Sequence, residues 1–167
     1  PGKRSVVIVG GGLEGIEALG EILRRYRNRA DLGITVVEAG ASLLPGMPAR
    51  LEAAVRAHCA GRNVRILTNS PVTSVTPARV RLRGEVGPPT PVMRLPLWTV
   101  GVTAPPLLLE SRLAGKPRQW APVTRALRSK RFANVFVIGD AAALPRPLGK
   151  QAYYALQMGA CAADNAK

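Results

Sequence analysis

Gly10, Gly12 and Gly15 stand in the spacing G-x-G-x-x-G, and Glu38 follows 23 residues after the third of them. Residues of these types in this order can hold a dinucleotide. Gly10 permits a tight turn out of a strand, and Gly12 removes a side chain where a diphosphate must approach the backbone. Gly15 lets the following helix pack close to that strand. Gly11 and Leu13 lie between them in the same phosphate loop. The helix then presents its first free N–H groups and the positive end of its dipole to the phosphates. The carboxylate of Glu38 can accept hydrogen bonds from an adenosine ribose diol, and it repels a 2′-phosphate. Ala39, Gly40, Ala41 and Ser42 follow it without an arginine. The preferred coenzyme on this reading is NADH rather than NADPH. Two plainer readings stand beside it: a glycine turn that binds nothing, and Glu38 as a solvated strand end.

The elements needed to position these residues are present in the pattern. The run SVVIV at 5–9 is apolar and β-branched, as in a parallel strand buried on both faces. After the glycines, Ile16, Leu19, Ile22, Leu23 and Tyr26 recur at helical spacing and end among Arg24, Arg25, Arg27 and Arg29. A turn at 31–33 leads to a second buried strand at 34–37, which ends on Glu38. The first 38 residues thus read as one βαβ unit. Beyond a loop at 43–46, Pro48 suits a helix start, and Leu51, Ala54, Val55 and His58 carry one face to Gly61. Residues 64–67 are a third strand. Residues 72–75 and 79–83 alternate as an antiparallel meander, Pro88, Pro89 and Pro91 break the chain, and 95–102 is a further strand closing on Gly101. From 111 to 130 the chain is basic and weakly patterned. Residues 135–138 read as a buried strand ending on Gly139 and Asp140, and a last helix spans about 149–166. The fold class expected is α/β: a Rossmann-like parallel sheet with a small antiparallel β-meander, plus a partial second lobe.

Composition excludes several alternatives. The chain has 167 residues, enough for one domain or one and part of another, and 47% are hydrophobic, too many for a disordered tail. Two cysteines, Cys59 and Cys161, and one histidine make neither a disulfide framework nor a zinc cluster, so no metal is expected. Cys161 reads as a packing residue, with a sulfur-handling role for either cysteine the alternative. No apolar run approaches membrane-spanning length, and no signal peptide is visible. The net charge of +14 comes from scattered arginines. Solvated faces explain it, or a basic surface for anionic cofactors or lipids. No recognition motif for nucleic acid accompanies it.

With these residues in view, the chain resembles the pyridine-nucleotide-dependent flavin oxidoreductases that bind two dinucleotides, and among them the type II NADH dehydrogenases. The run GGGLEGIE at 10–17 with Glu21 looks like their second glycine fingerprint. WTVGV at 98–102 resembles their apolar-x-Thr-x-Gly strand, and NVFVIGDAA at 134–142 their flavin-binding signature. The final helix, with Ala152, Tyr153, Ala155, Gly159, Ala162, Ala163 and Asn165, resembles the helix that follows that signature. The resemblance implies an NAD(H)-binding domain over residues 1–103 and an incomplete C-terminal portion of an FAD-binding domain over 104–167. It implies that Asp140 accepts a hydrogen bond from the FAD ribityl chain and that Gly139 leaves room for the cofactor. Gln151 and Ala152 would face the flavin at the mouth of the last helix. Glu17 would lie near the nicotinamide, or be an ordinary helix carboxylate, and Gly101 would let the nicotinamide end rest against the backbone.

For the complete enzyme the resemblance implies hydride transfer from NADH to FAD, with a quinone or a small redox protein as electron acceptor. No catalytic nucleophile need come from this chain. Surfaces for a homodimer or for peripheral membrane attachment, and a cytoplasmic location or one on the inner membrane face, belong to the same implication. The chain begins at Pro1 without Met and carries one fingerprint, so it reads as the middle-to-late portion of a longer enzyme, inactive alone. The strand at 135–138 would then need to pack on the first domain, on another copy or on a separate chain. The competing reading is a non-catalytic module that binds NAD(H) without FAD.

Overall fold

A computed structural model describes residues 4–76, 79–84, 90–91 and 96–166. The chain divides into two compact units, Pro1–Gly101 and Val102–Lys167.

The first unit is built on a parallel sheet. Its elements are β1 (Arg4–Val9), α1 (Leu13–Arg25), β2 (Leu32–Val37), α2 (Ala49–Cys59), β3 (Val64–Leu67), β4 (Val72–Thr76), β5 (Arg79–Leu82), β6 (Thr90–Pro91) and β7 (Pro96–Trp98). The parallel sheet has the order β3-β2-β1-β7, with Val9 in register with Val37 on one side and Trp98 on the other. Successive strand side chains point to opposite faces, and the two faces of β1 are sealed differently. Ile8 packs with Leu19, Ile34, Val36, Leu43 and Cys59 under the two helices. Val7 and Val9 pack with Val37 and Val80 under the meander. This double cover explains why β1 reads as an unbroken apolar run, since Val7, Ile8 and Val9 are each at most 2% exposed. Burial also pushes the Cys59 thiol pKa up.

The meander has the order β4-β5-β6. Pro91, expected to break the chain, instead lies in β6 at the edge of that sheet, a position where proline is tolerated. The strand expected at 95–102 is shorter. β7 ends at Trp98, Gly101 turns with φ +63°, and Leu95 lies outside the described residues, as do Pro88 and Pro89.

The second unit contains α3 (Leu107–Glu110), β8 (Ala121–Pro122), a 3-10 turn at Gly139–Ala141, β9 (Ala142–Ala143) and α4 (Ala152–Asn165). Its core gathers Leu108, Val123, Leu127, Val137, Met158 and Ala162. The expected buried strand at 135–138 does not form. Phe136 makes a single bridge to Arg128, Val137 donates to the Leu127 carbonyl, and Ile138 is 42% exposed. A strand requires a continuous partner edge, and this stretch is flanked instead by the looping segment 123–129. Val137 is buried within the second unit, in a core with Leu127 and residues of α4 such as Met158. Among the described residues, no helix is long and apolar enough to cross a membrane.

Candidate functional site

The carboxyl ends of β1, β2 and β7 open on one cleft of about 510 Å³. The chain leaves β1 toward β2 and β3, then returns to β7 on the other side of β1. That reversal is where open α/β sheets bind ligands. Val9, Gly10, Gly12, Glu14, Glu38, Pro71, Trp98, Thr99 and Gly101 are among the residues lining it. Four sequence-predicted residues, Gly10, Gly12, Glu38 and Gly101, therefore meet in one place. Leu13, Gly15 and Glu17 do not line the cleft; Gly15 is buried in α1, and Leu13 and Glu17 are exposed on it.

The glycines serve different masters. Gly10 has φ +112°, and a Cβ there would stand 2.7 Å from the Thr99 carbonyl oxygen. A Cβ at Gly15 would stand 2.0 Å from the Gly10 carbonyl oxygen, and one at Gly11 would stand 2.6 Å from Leu43 Cδ2. Backbone atoms thus demand glycine at positions 10 and 15, while at position 11 the close atom is the end of a side chain. Gly12 differs: its φ is an ordinary −72°, and the nearest atom to a Cβ would be Glu14 Oε2 at 3.9 Å. Among the described residues, no atom stands close enough to require glycine at position 12. The cradle that a side chain would fill lies at the N-terminus of α1, which has no side-chain cap. An uncapped helix start leaves N–H groups unpaired, so the donor set and the space fit a diphosphate.

Glu38 is tied more tightly than its sequence position suggests. Its Oε2 accepts from the Gly11 amide and its Oε1 from the Gly40 amide, each at 2.7 Å. The Gly11 carbonyl in turn accepts from Leu44 N at 2.8 Å. Gly11, expected in the phosphate loop, thus has its amide directed to Glu38 and is buried. Each carboxylate oxygen retains a second lone pair, which leaves Glu38 able to accept ribose hydroxyls. Glu14 adds a second carboxylate beside the cradle, at the helix end where the dipole favours negative charge.

Thr99 has a role that spacing alone did not reveal. Its hydroxyl reaches the Val9 carbonyl at 2.9 Å and the Gly10 carbonyl at 3.2 Å, and its amide donates to Val9 at 2.8 Å. It pins the glycine turn to β7. The only sequence signal was the Thr of the apolar-x-Thr-x-Gly run. Thr99→Val removes the side-chain bond while keeping the shape, and should cost about 1 kcal/mol. The expected result is a melting temperature several degrees lower by scanning calorimetry, and an unchanged melting curve would refute the pin.

A second hollow, about 280 Å³, lies in the second unit and is lined by Trp120, Gly139, Asp140, Lys150, Gln151 and Tyr154, among others. Gly139 has φ +61°, and Asp140 is exposed. The last helix begins at Ala152 with Gln151 as its extended N-cap, later than the expected start near 149. Lys150 lies outside the helix: its ammonium sits 3.6 Å from the centre of the Trp120 ring and donates to the Asp140 carbonyl. The attraction of a cation to an aromatic face draws it there. Burial pulls its pKa down, opposed by the charge of Asp140. No group of histidine, cysteine and carboxylate side chains able to hold a metal occurs among the described residues.

The chain is 27% identical over 140 residues to the demethylphylloquinone reductase NdbB of Synechocystis, covering 84% of this chain and 34% of that protein. It is 28% identical over 180 residues to the type II NADH:quinone oxidoreductase of Haemophilus influenzae, covering 98% of this chain and 39% of that protein. The chain thus spans between a third and two-fifths of the length of these relatives. Its fold matches an FAD-dependent pyridine nucleotide-disulphide oxidoreductase from Desulfovibrio vulgaris with a TM-score of 0.76 at 22% identity, over 98% of this chain and 42% of that one. The family model for pyridine nucleotide-disulphide oxidoreductases matches residues 1–159, and the chain belongs to that family.

Proposed function

We propose that the first unit binds NADH, in preference to NADPH, and holds it for hydride transfer to a flavin. The observation that carries this reading is Gly12: a glycine that no atom of the described residues requires, at an uncapped helix start. Glu38, at the end of the neighbouring strand, supports the adenosine side of the same reading. The α1 amides would hold the diphosphate, Glu38 would accept the ribose hydroxyls, and Gly101 would leave its backbone open to the nicotinamide end. Position and electrostatics are the protein's contribution.

In the complete protein, FAD would supply the two-electron acceptor. Residues 104–167 would contribute Asp140 as acceptor for a ribityl hydroxyl, Gly139 as clearance, and the amides of Gln151 and Ala152 at the mouth of α4. Residues 1–103 would be the NAD domain. The names of the two relatives, a demethylphylloquinone reductase and an NADH:quinone oxidoreductase, favour a quinone over a small redox protein as final acceptor. Calorimetric titration of the folded chain with NADH should show saturable one-site binding that is tighter than for NADPH. Absence of heat and affinity for either nucleotide would overturn the proposal.

A further inference from the structure

Trp98 ends β7 with 58% of its surface exposed, although its strand partner Val9 is fully buried. Its indole borders two adjoining spaces. One is the 510 Å³ cleft; the other is a shallower groove of about 440 Å³ lined also by Val72, Thr73, Ser74 and Val75. Val72 lines both, so Trp98 and Val72 form their common wall. The chain's other tryptophan, Trp120, has its ring face covered by Lys150. Among the described residues, no aromatic ring or cation covers Trp98. A large aromatic side chain is thus more than half exposed at the ligand-binding edge of the sheet.

The path from Glu38 leads to this face. Ser70 N donates to the Glu38 carbonyl at 2.9 Å, and Pro71 and Val72 run on from there along the cleft toward Trp98. A base attached to a ribose seated on Glu38 has these surfaces beside it. We propose that the indole of Trp98 is the stacking surface for the adenine ring, with Pro71 and Val72 as its apolar margin. The inference rests on the nucleotide-binding reading above and deepens it by naming the residue that recognises the base. Stacking of this kind tolerates any planar base, so Trp98 contributes affinity while Glu38 chooses between the coenzymes.

The test uses the full chain carrying Trp120→Phe, which leaves Trp98 as its single indole. ADP should quench the Trp98 emission saturably, and nicotinamide mononucleotide should not. Trp98→Ala should weaken ADP by about tenfold in calorimetry, and Trp98→Phe should restore most of that loss, both at an unchanged melting temperature. If Trp98→Ala does not fold, the emission titration and Trp98→Phe decide. ADP binding with no change in emission and equal affinity in Trp98→Ala would overturn the stacking role while leaving the nucleotide site intact. Quenching by nicotinamide mononucleotide instead of ADP would overturn the choice of ring. Folded chain that binds neither ADP nor NADH would remove the nucleotide reading, and the stacking role with it.

Discussion

Gly15→Ala should strongly destabilise the first unit, whereas Gly12→Ala should leave it stably folded with a weakened grip on a diphosphate. The added Cβ at Gly15 would stand 2.0 Å from the Gly10 carbonyl oxygen and 2.9 Å from Thr99 Oγ1. Neither atom is free to yield. Gly10 N donates to Val37 O at 2.8 Å, and the Thr99 hydroxyl reaches the same Gly10 carbonyl. Relief would require α1 to lift from β1, opening the contacts of Leu19 with Ile8, Ile34 and Val36. Overpacking against fixed backbone costs on the order of 3 kcal/mol or more, so the melting temperature should fall by more than about 10 °C. At Gly12 the backbone is already in a region open to any residue, and a methyl group would meet nothing closer than 3.9 Å. Its stability cost should stay below about 1 kcal/mol. Displacing the diphosphate from even one or two charge-assisted amide bonds should lower NADH affinity by about tenfold to a hundredfold. Scanning calorimetry and NADH titration of the two variants separate the effects. Equal destabilisation by both, or full NADH affinity in Gly12→Ala, would show that position 12 is a packing glycine like its neighbours.

The βαβ start of the chain was readable because each of its constraints is local. Val7, Ile8 and Val9 are buried on both faces, so no polar residue interrupts them, and the glycines sit within a single turn. What escaped are contacts between residues remote in sequence. Glu38 meets Gly11 across 27 residues, and Thr99 meets Gly10 across 89. No periodicity encodes such a meeting, so Glu38 read as a ligand for a sugar or as a solvated strand end, and Thr99 as one letter of a pattern. The misread strand at 135–138 has another origin. An apolar run states that a segment will be covered, not that an edge will pair with it. Val137 is covered, at 7% exposure, by a core that includes Leu127 and Met158, while Ile138 is left out. Likewise, the helix expected from 149 starts at Ala152, after Lys150 has turned over Trp120 and Gln151 has taken an extended conformation.

Replacing Glu38 should separate two duties that its carboxylate performs at once. Glu38→Ala removes both acceptors and leaves the buried Gly11 amide without a partner, at a cost of about 1–3 kcal/mol. Both stability and NADH affinity should drop, which by itself does not distinguish clip from ligand. Glu38→Gln does. Its single carbonyl oxygen can keep the Gly11 amide while the exposed Gly40 amide turns to water, so the glycine turn holds and the negative charge is lost. NADH should then bind more weakly, because a neutral oxygen is a poorer acceptor for the ribose hydroxyls. NADPH should bind better, because its 2′-phosphate no longer faces the carboxylate of Glu38. The expected outcome is a fall in the NADH-to-NADPH affinity ratio on the order of tenfold or more, with a melting temperature close to that of the parent chain. The charge effect should shrink as salt is added, since the site is open to solvent. If the ratio stays constant in Glu38→Gln while Glu38→Ala still loses stability, the carboxylate is only the clip that holds the glycine turn, and another group must read the sugar.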